Sequence, residues 1–172
     1  MEQVRVTAGV SNGSLYHHFP TRNHLARAVY EEALRDYHAG LRAALGRALS
    51  AEEGVRRLVR RHIAWVLRSP QQARILIELR AFTAIDGSAP DWQVVNAEVF
   101  AALKTWIGRH VAEGSLRELP FDVWIAMVFA PVMQLTSTWA RQEHPRVSPV
   151  IADALARAAW CSVRSVQTAR KS

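Results

Sequence analysis

Cysteine is nearly absent from this 172-residue chain. The single Cys161 excludes an intramolecular disulfide and any site built on two thiolates, and it fits a reducing, cytoplasmic setting. Lysine is almost as scarce, occurring only at 104 and 171, so arginine supplies nearly all of the 22 cations. That imbalance reads mainly as coding bias and only weakly as a choice for bidentate phosphate contacts. Glycine (8) and proline (7) are few, which leaves little punctuation and no long linker or low-complexity segment. Long apolar runs are missing too. The segment Val123 to Ala140 has no formal charge, but only Val123 to Met133 is continuously apolar, too short for a hydrocarbon layer about 30 Å thick. It reads as a buried helix, and no membrane partner is expected. The first ten residues hold no apolar core of the kind a signal peptide needs. A Gly-rich phosphate loop, a His-x-x-x-His pair, a Gly-x-Ser-x-Gly elbow and a Cys-x-x-Cys motif are all lacking, so neither enzyme chemistry, a cofactor nor a metal is expected.

What is present is ordinary globular material: 49% hydrophobic and 22% charged residues with a net charge of +7. The excess leans toward an anionic partner but is unevenly placed. Residues 1–36 are neutral, residues 37–80 carry +6, and residues 81–172 carry +1. The densest run, Arg56, Arg57, Arg60 and Arg61, could meet phosphates, although Glu52 and Glu53 beside it favour a solvated face.

Apolar spacing is helical throughout. Val55, Leu58, Val59, His62 and Val66 recur three and four apart, as do Trp92, Val95, Val99, Leu103, Trp106 and His110. No stretch alternates as a half-buried strand would. The pattern predicts an all-α chain with helices near 2–8, 12–18, 22–48, 52–68, 71–84, 91–113, 121–142 and 148–170. In the last of these, Asp153, Arg157 and Arg164 make one narrow polar stripe while apolar residues fill most of the circumference. A terminal helix so widely apolar needs a second partner, either a subunit interface or a central position in the monomer. The interface reading takes Leu135, Ile151, Leu155, Ala158, Ser162 and Val166 as contacts and expects a two-fold homodimer.

The specific signal is at the start, in Val4-Arg5-Val6-Thr7-Ala8-Gly9-Val10-Ser11-Asn12-Gly13-Ser14-Leu15-Tyr16-His17-His18-Phe19-Pro20-Thr21-Arg22. A short helix ended by Gly9, a tight turn, and Ser11 as cap of a second short helix make a helix-turn-helix. Val4, Ala8, Val10, Leu15 and Phe19 would form its small core. Asn12, Ser14, Tyr16, His17 and His18 would be the exposed face, polar as a helix in a major groove requires, and Gly13 permits close backbone approach.

This stretch resembles the recognition half of the TetR family of bacterial transcriptional regulators, whose signature reads roughly Ala-Gly-Val-Ser-x-Gly-Ser/Thr-Leu-Tyr-x-His-Phe, then Ser/Thr-Lys. The departure within the motif is Arg22 in place of lysine. The resemblance implies that Asn12, Gly13, Ser14 and His17 meet base edges or the groove floor. It likewise implies that Tyr16, His18, Thr21 and Arg22 meet phosphates, with Thr21 also capping the next helix. Residues 1–40 would then be a partial DNA-binding domain with the start of a connecting helix, and residues 41–172 a helical ligand-binding and dimerisation domain. The partners so implied are operator DNA, a second copy, and a small, mostly apolar effector held by His62, Trp65, Phe82, Phe100, Leu103, Trp124, Met127 and Pro131, with Trp106, Phe129, Gln134 and Thr136 also within the central helices. In the family a helix of some twenty residues precedes the motif, whereas Met1 here stands eight residues before Gly9. The expectation is therefore weak, unselective DNA binding by the 172-residue chain itself, unless codons upstream of Met1 supply that helix. The competing reading is a helical binding or scaffold dimer that does not engage DNA.

Overall fold

The computed structural model describes residues 9, 11–46, 48, 50–86, 92–143 and 145–166, with the side chains at 12, 15, 79–86 and 92–95 left outside the description. The helix expected over 2–8, and its share of the small helix-turn-helix core, lie outside these residues. So do the side chains of Asn12 and Phe82. Seven helices follow: α1 Asn12–His18, α2 Arg22–Gly46, α3 Ala51–Arg68, α4 Pro70–Asp86, α5 Trp92–Ala112, α6 Phe121–Trp139 and α7 Pro149–Val163. The chain is all-α, as its periodicity predicts, and most boundaries fall within two residues of expectation.

Local chemistry sets the ends. The Ser50 hydroxyl accepts from the Glu53 amide at 3.1 Å and starts α3; Ser148 accepts from the Val150 amide at 3.3 Å, with Pro149 in the first turn of α7. Gly114, at φ +74°, ends α5 in a Schellman turn, its amide reaching Val111 O and that of Ser115 reaching His110 O, both at 2.9 Å. This turn decides where α7 stops. Leu116 pairs with Arg164 as an antiparallel bridge, the Arg117 amide donates to Val163 O at 2.9 Å, and the Ser165 amide donates to Ser115 O at 3.0 Å. The helix expected to run to residue 170 therefore ends at Val163, because its last carbonyls find partners in the α5–α6 loop instead of in another turn. Val166 lies beyond the helix and is exposed.

The core is organised around α3, which touches α2, α4, α6 and α7. Its Val55, Leu58 and Val59 are wholly buried, each worth roughly 1.5–3 kcal/mol relative to exposure. Gly54 allows α5 to come close: a Cβ there would overlap the indole of Trp106. The Trp106 ring in turn stands 6.5 Å from the fully buried Trp124 of α6. Helix α6 is not buried all round, as its uncharged sequence suggested. Trp124, Val128, Phe129, Val132 and Thr136 face the core, while Val123, Ala126, Ala130, Met133 and Gln134 are exposed. By length and composition it is the one helix among the described residues that could cross a membrane.

Candidate nucleic-acid interface and its connection to the core

Helix α1 begins as the sequence suggests: Ser11 Oγ accepts from the Ser14 amide at 3.1 Å. Gly13, Ser14, His17 and His18 then fall within about 140° of one side of the helix, and all four are exposed, as are Tyr16, Thr21 and Arg22. The side carries hydroxyl and imidazole groups that both donate and accept hydrogen bonds, and no acid lies among them. Thr21 Oγ1 accepts from the His24 amide at 3.3 Å and lies 2.8 Å from His24 Nδ1, so it caps α2 as expected. Further along α2, Arg27 is held by Glu31 at 2.7 Å and Arg35 by Glu32. Arg22 has no such carboxylate among the described residues.

Helix α2 spans 25 residues, about 37 Å, and carries α1 at one end while its other half packs on α3, α4 and α5. Two polar links, each to a buried side chain of α3, fasten it. Asp36 Oδ2 accepts from Trp65 Nε1 at 2.7 Å and lies 3.5 Å from Arg68. Tyr37 Oη is 2.9 Å from His62 Nδ1, and His62 Nε2 is 2.8 Å from Thr136 Oγ1. The Thr136 proton is engaged by Val132 O at 2.9 Å, so Nε2 must carry the imidazole proton and Nδ1 must accept from the tyrosine. Burial holds the pKa of this ring down at about 4, which keeps it neutral near pH 7, and pushes the Tyr37 phenol up. One chain of hydrogen bonds joins the connecting helix to α3 and α6. His38, the next residue on α2, is also lowered to about 4, by burial and then by Arg42, against the opposing effects of a hydrogen bond with Asn96 and the charge of Glu98.

The residues expected to hold an effector are divided by the fold. His62 and Trp65 share a cluster with Tyr37, whose ring lies 5.6 and 5.0 Å from theirs, and Phe129 stacks edge-on to His62 at 6.3 Å. Leu103 and Trp124 belong to the main core. Phe100 turns to Phe121 at 5.2 Å, beneath the Lys104 ammonium, while Met127 is half-buried and Pro131 exposed. A cavity of about 510 Å³ bounded by described residues lies elsewhere, between the far end of α2 and α5, at Arg42, Gly46, Thr105, Trp106 and Arg109. None of the eight residues lines it.

Of the residues expected at a subunit contact, Ile151 and Ala158 are exposed on one side of α7 together with Val150, Ala154 and Cys161, an uncharged strip bordered by the exposed Arg157. Leu155 and Ser162 sit at its edge, half-buried, and Leu155 packs on the core. Leu135 is exposed on the flank of α6. Val123, Ala130 and Gln134 continue the uncharged surface on α6, which packs against α7.

Three of the four arginines in the run, Arg56, Arg57 and Arg60, meet carboxylates within the chain. Arg56 pairs with Glu52 at 2.9 Å and Arg57 with Glu53, as the spacing suggested. Sequence reasoning missed Asp153 of α7, which meets Arg60, Arg56 at 3.6 Å and Arg157 at 2.8 Å. The hydrogen bond from Arg60 and the surrounding guanidinium charges hold that carboxyl below its ordinary range. Only the i,i+4 partner, Arg157, was visible in the sequence; the α3–α7 crossing supplies the others. Tyr37 and Asp36 were missed for the same reason.

No family model and no curated protein matches the sequence. Solved structures do. A TetR family transcription regulator from Marinobacter aquaeolei VT8 superposes with a TM-score of 0.78 at 20% identity, over 95% of this chain and 83% of the other. A bacterial regulatory protein in the TetR family from Rhodococcus RHA1 gives 0.70 at 16% identity, over 96% and 86%. The TetR family transcriptional regulator PfmR from Thermus thermophilus gives 0.63 at 18% identity, over 92% and 85%.

Proposed function

We propose that this chain, which has the fold of TetR-family transcription regulators along nearly its whole length, is itself a cytoplasmic regulator that binds a two-fold symmetric operator as a homodimer and lets go when a small, mostly apolar effector binds. The observation that carries this is the placement of α1. A short capped helix with an exposed, acid-free, hydrogen-bonding side stands at the head of a long helix whose other half is tied into the core through Asp36 and Tyr37. Such a helix can enter a major groove, and what happens in the core can move it.

The uncharged side shared by α6 and α7 supports the dimer, since a second copy of it is a self-complementary cover. Two reading helices would then meet successive major grooves about 34–36 Å apart. The effector is read from the aromatic setting of His62, where Trp65, Tyr37 and Phe129 surround one polar anchor. An effector favouring the unbound conformation with a coupling of about 1–3 kcal/mol would lower operator affinity about 5- to 150-fold, and repression follows if the operator overlaps a promoter.

Arg22→Ala and Asn12→Ala test the assigned roles. The first should weaken binding to every duplex and flatten the salt slope by about one unit. The second should relax discrimination at one or two base pairs, at about 1–3 kcal/mol each. Equal, sequence-independent losses in both would overturn the division between reading and positioning.

A further inference from the structure

The groove between the far end of α2 and α5 plays no part in DNA reading or in the central cluster around His62. Its volume, about 510 Å³, is that of a site for one small molecule. Leu45, Ala102 and Trp106 make its surface apolar, whereas Arg42 and Arg109 bring a cation from each wall and Thr105 a hydroxyl. No acid lines it. We propose that this groove binds one small anionic amphiphile, a carboxylate or phosphate head on an apolar chain, at a site separate from the proposed effector cluster.

Charge complementarity sets the head group. Arg42 Nη1 lies 3.0 Å from Glu98 and Arg109 Nε 3.9 Å from Glu113, but each guanidinium has five N–H donors and one such pair leaves several free. Both side chains remain substantially exposed, so neither arginine is consumed by its own acid.

Position excludes the duplex as the source of the anion. Arg42 stands twenty residues along α2 from Arg22, about 30 Å from the DNA-facing end. The tail has room at Gly46, where an added Cβ would meet nothing within 4 Å. A monomeric amphiphile fits a half-open groove of this size, whereas a bilayer surface would have to approach over both walls.

Calorimetric titration of the 172-residue chain with octyl phosphate, octanoate and octanol tests this. Both anions should bind once per chain, and octanol at least about tenfold more weakly. Arg42→Ala with Arg109→Ala should weaken the anions by about 30-fold or more, and the double lysine variant should recover most of that. Gly46→Phe should abolish binding with the melting temperature held, which separates a filled groove from a damaged fold. Equal binding of octanol, or anion affinity untouched by Gly46→Phe and by the arginine pair, would overturn the proposal. So would pelleting with phosphatidylglycerol vesicles by a chain that ignores monomeric octyl phosphate.

Discussion

The imidazole of His62 on α3 and the hydroxyl of Thr136 on α6 lie 2.8 Å apart, and because Thr136 gives its proton to Val132 O, the histidine must give its own to Thr136. Burial of the ring holds its pKa down at about 4, so the link between the connecting helix and the core rests on a neutral histidine near pH 7.

Stability should depend on pH accordingly. Above about 6.5 the ring is neutral whether folded or unfolded, and this group gives no slope. Below that only the unfolded chain takes up the proton, until the native ring follows near 4, so stability falls between these limits by roughly 3 kcal/mol from His62. His38, lowered for a similar reason, adds to the loss in the same window. Urea unfolding at pH 7, 6, 5 and 4.5 measures it. The variant His62→Gln can accept from Tyr37 and donate to Thr136 without titrating, and its slope should be shallower by about one proton. An unchanged slope would place the titration elsewhere.

Gly54→Ala should be among the most damaging single-methyl changes in the chain. The added carbon would overlap the Trp106 ring, which is itself packed against Trp124 and, at 4.5 Å, against His110. Overpacking of this kind costs about 1–3 kcal/mol, and chemical denaturation should show a lower midpoint with an unchanged slope. A midpoint equal to the parent's would mean that α3 and α5 separate freely.

Association should respond to the exposed side of α7. Ile151→Glu with Ala158→Glu puts two charges on it without touching the core, and sedimentation should show a dimer converted to a folded monomer. Leu155→Glu should instead lower the melting temperature, because Leu155 is half-buried against the core. A dimer that survives the double glutamate variant would put the contact on another surface.

The all-α class, most helix boundaries and the caps at Ser11 and Thr21 were legible because each depends on neighbours within four residues. The long-range terms were not. The apolar spacing through Val163 and Val166 reads as continuing helix, and nothing near those residues announces that Ser115 and Arg117 will capture the backbone there. Aromatic residues three and four apart mark a buried side but not which helix it meets, so Phe100 was grouped with His62 although it packs on Phe121. Asp153 was seen as part of a polar stripe, and only the crossing of α3 and α7 makes it the common partner of Arg56 and Arg60.

Selection from a randomised duplex library addresses the central claim most directly, run with this chain and with its Asn12→Ala variant. The account predicts enrichment of a two-fold symmetric sequence by the parent, with half-sites about one helical turn apart, and discrimination relaxed in the variant at one or two positions in each half. Failure of the parent to enrich any sequence, with binding explained by salt-sensitive attraction alone, would contradict it.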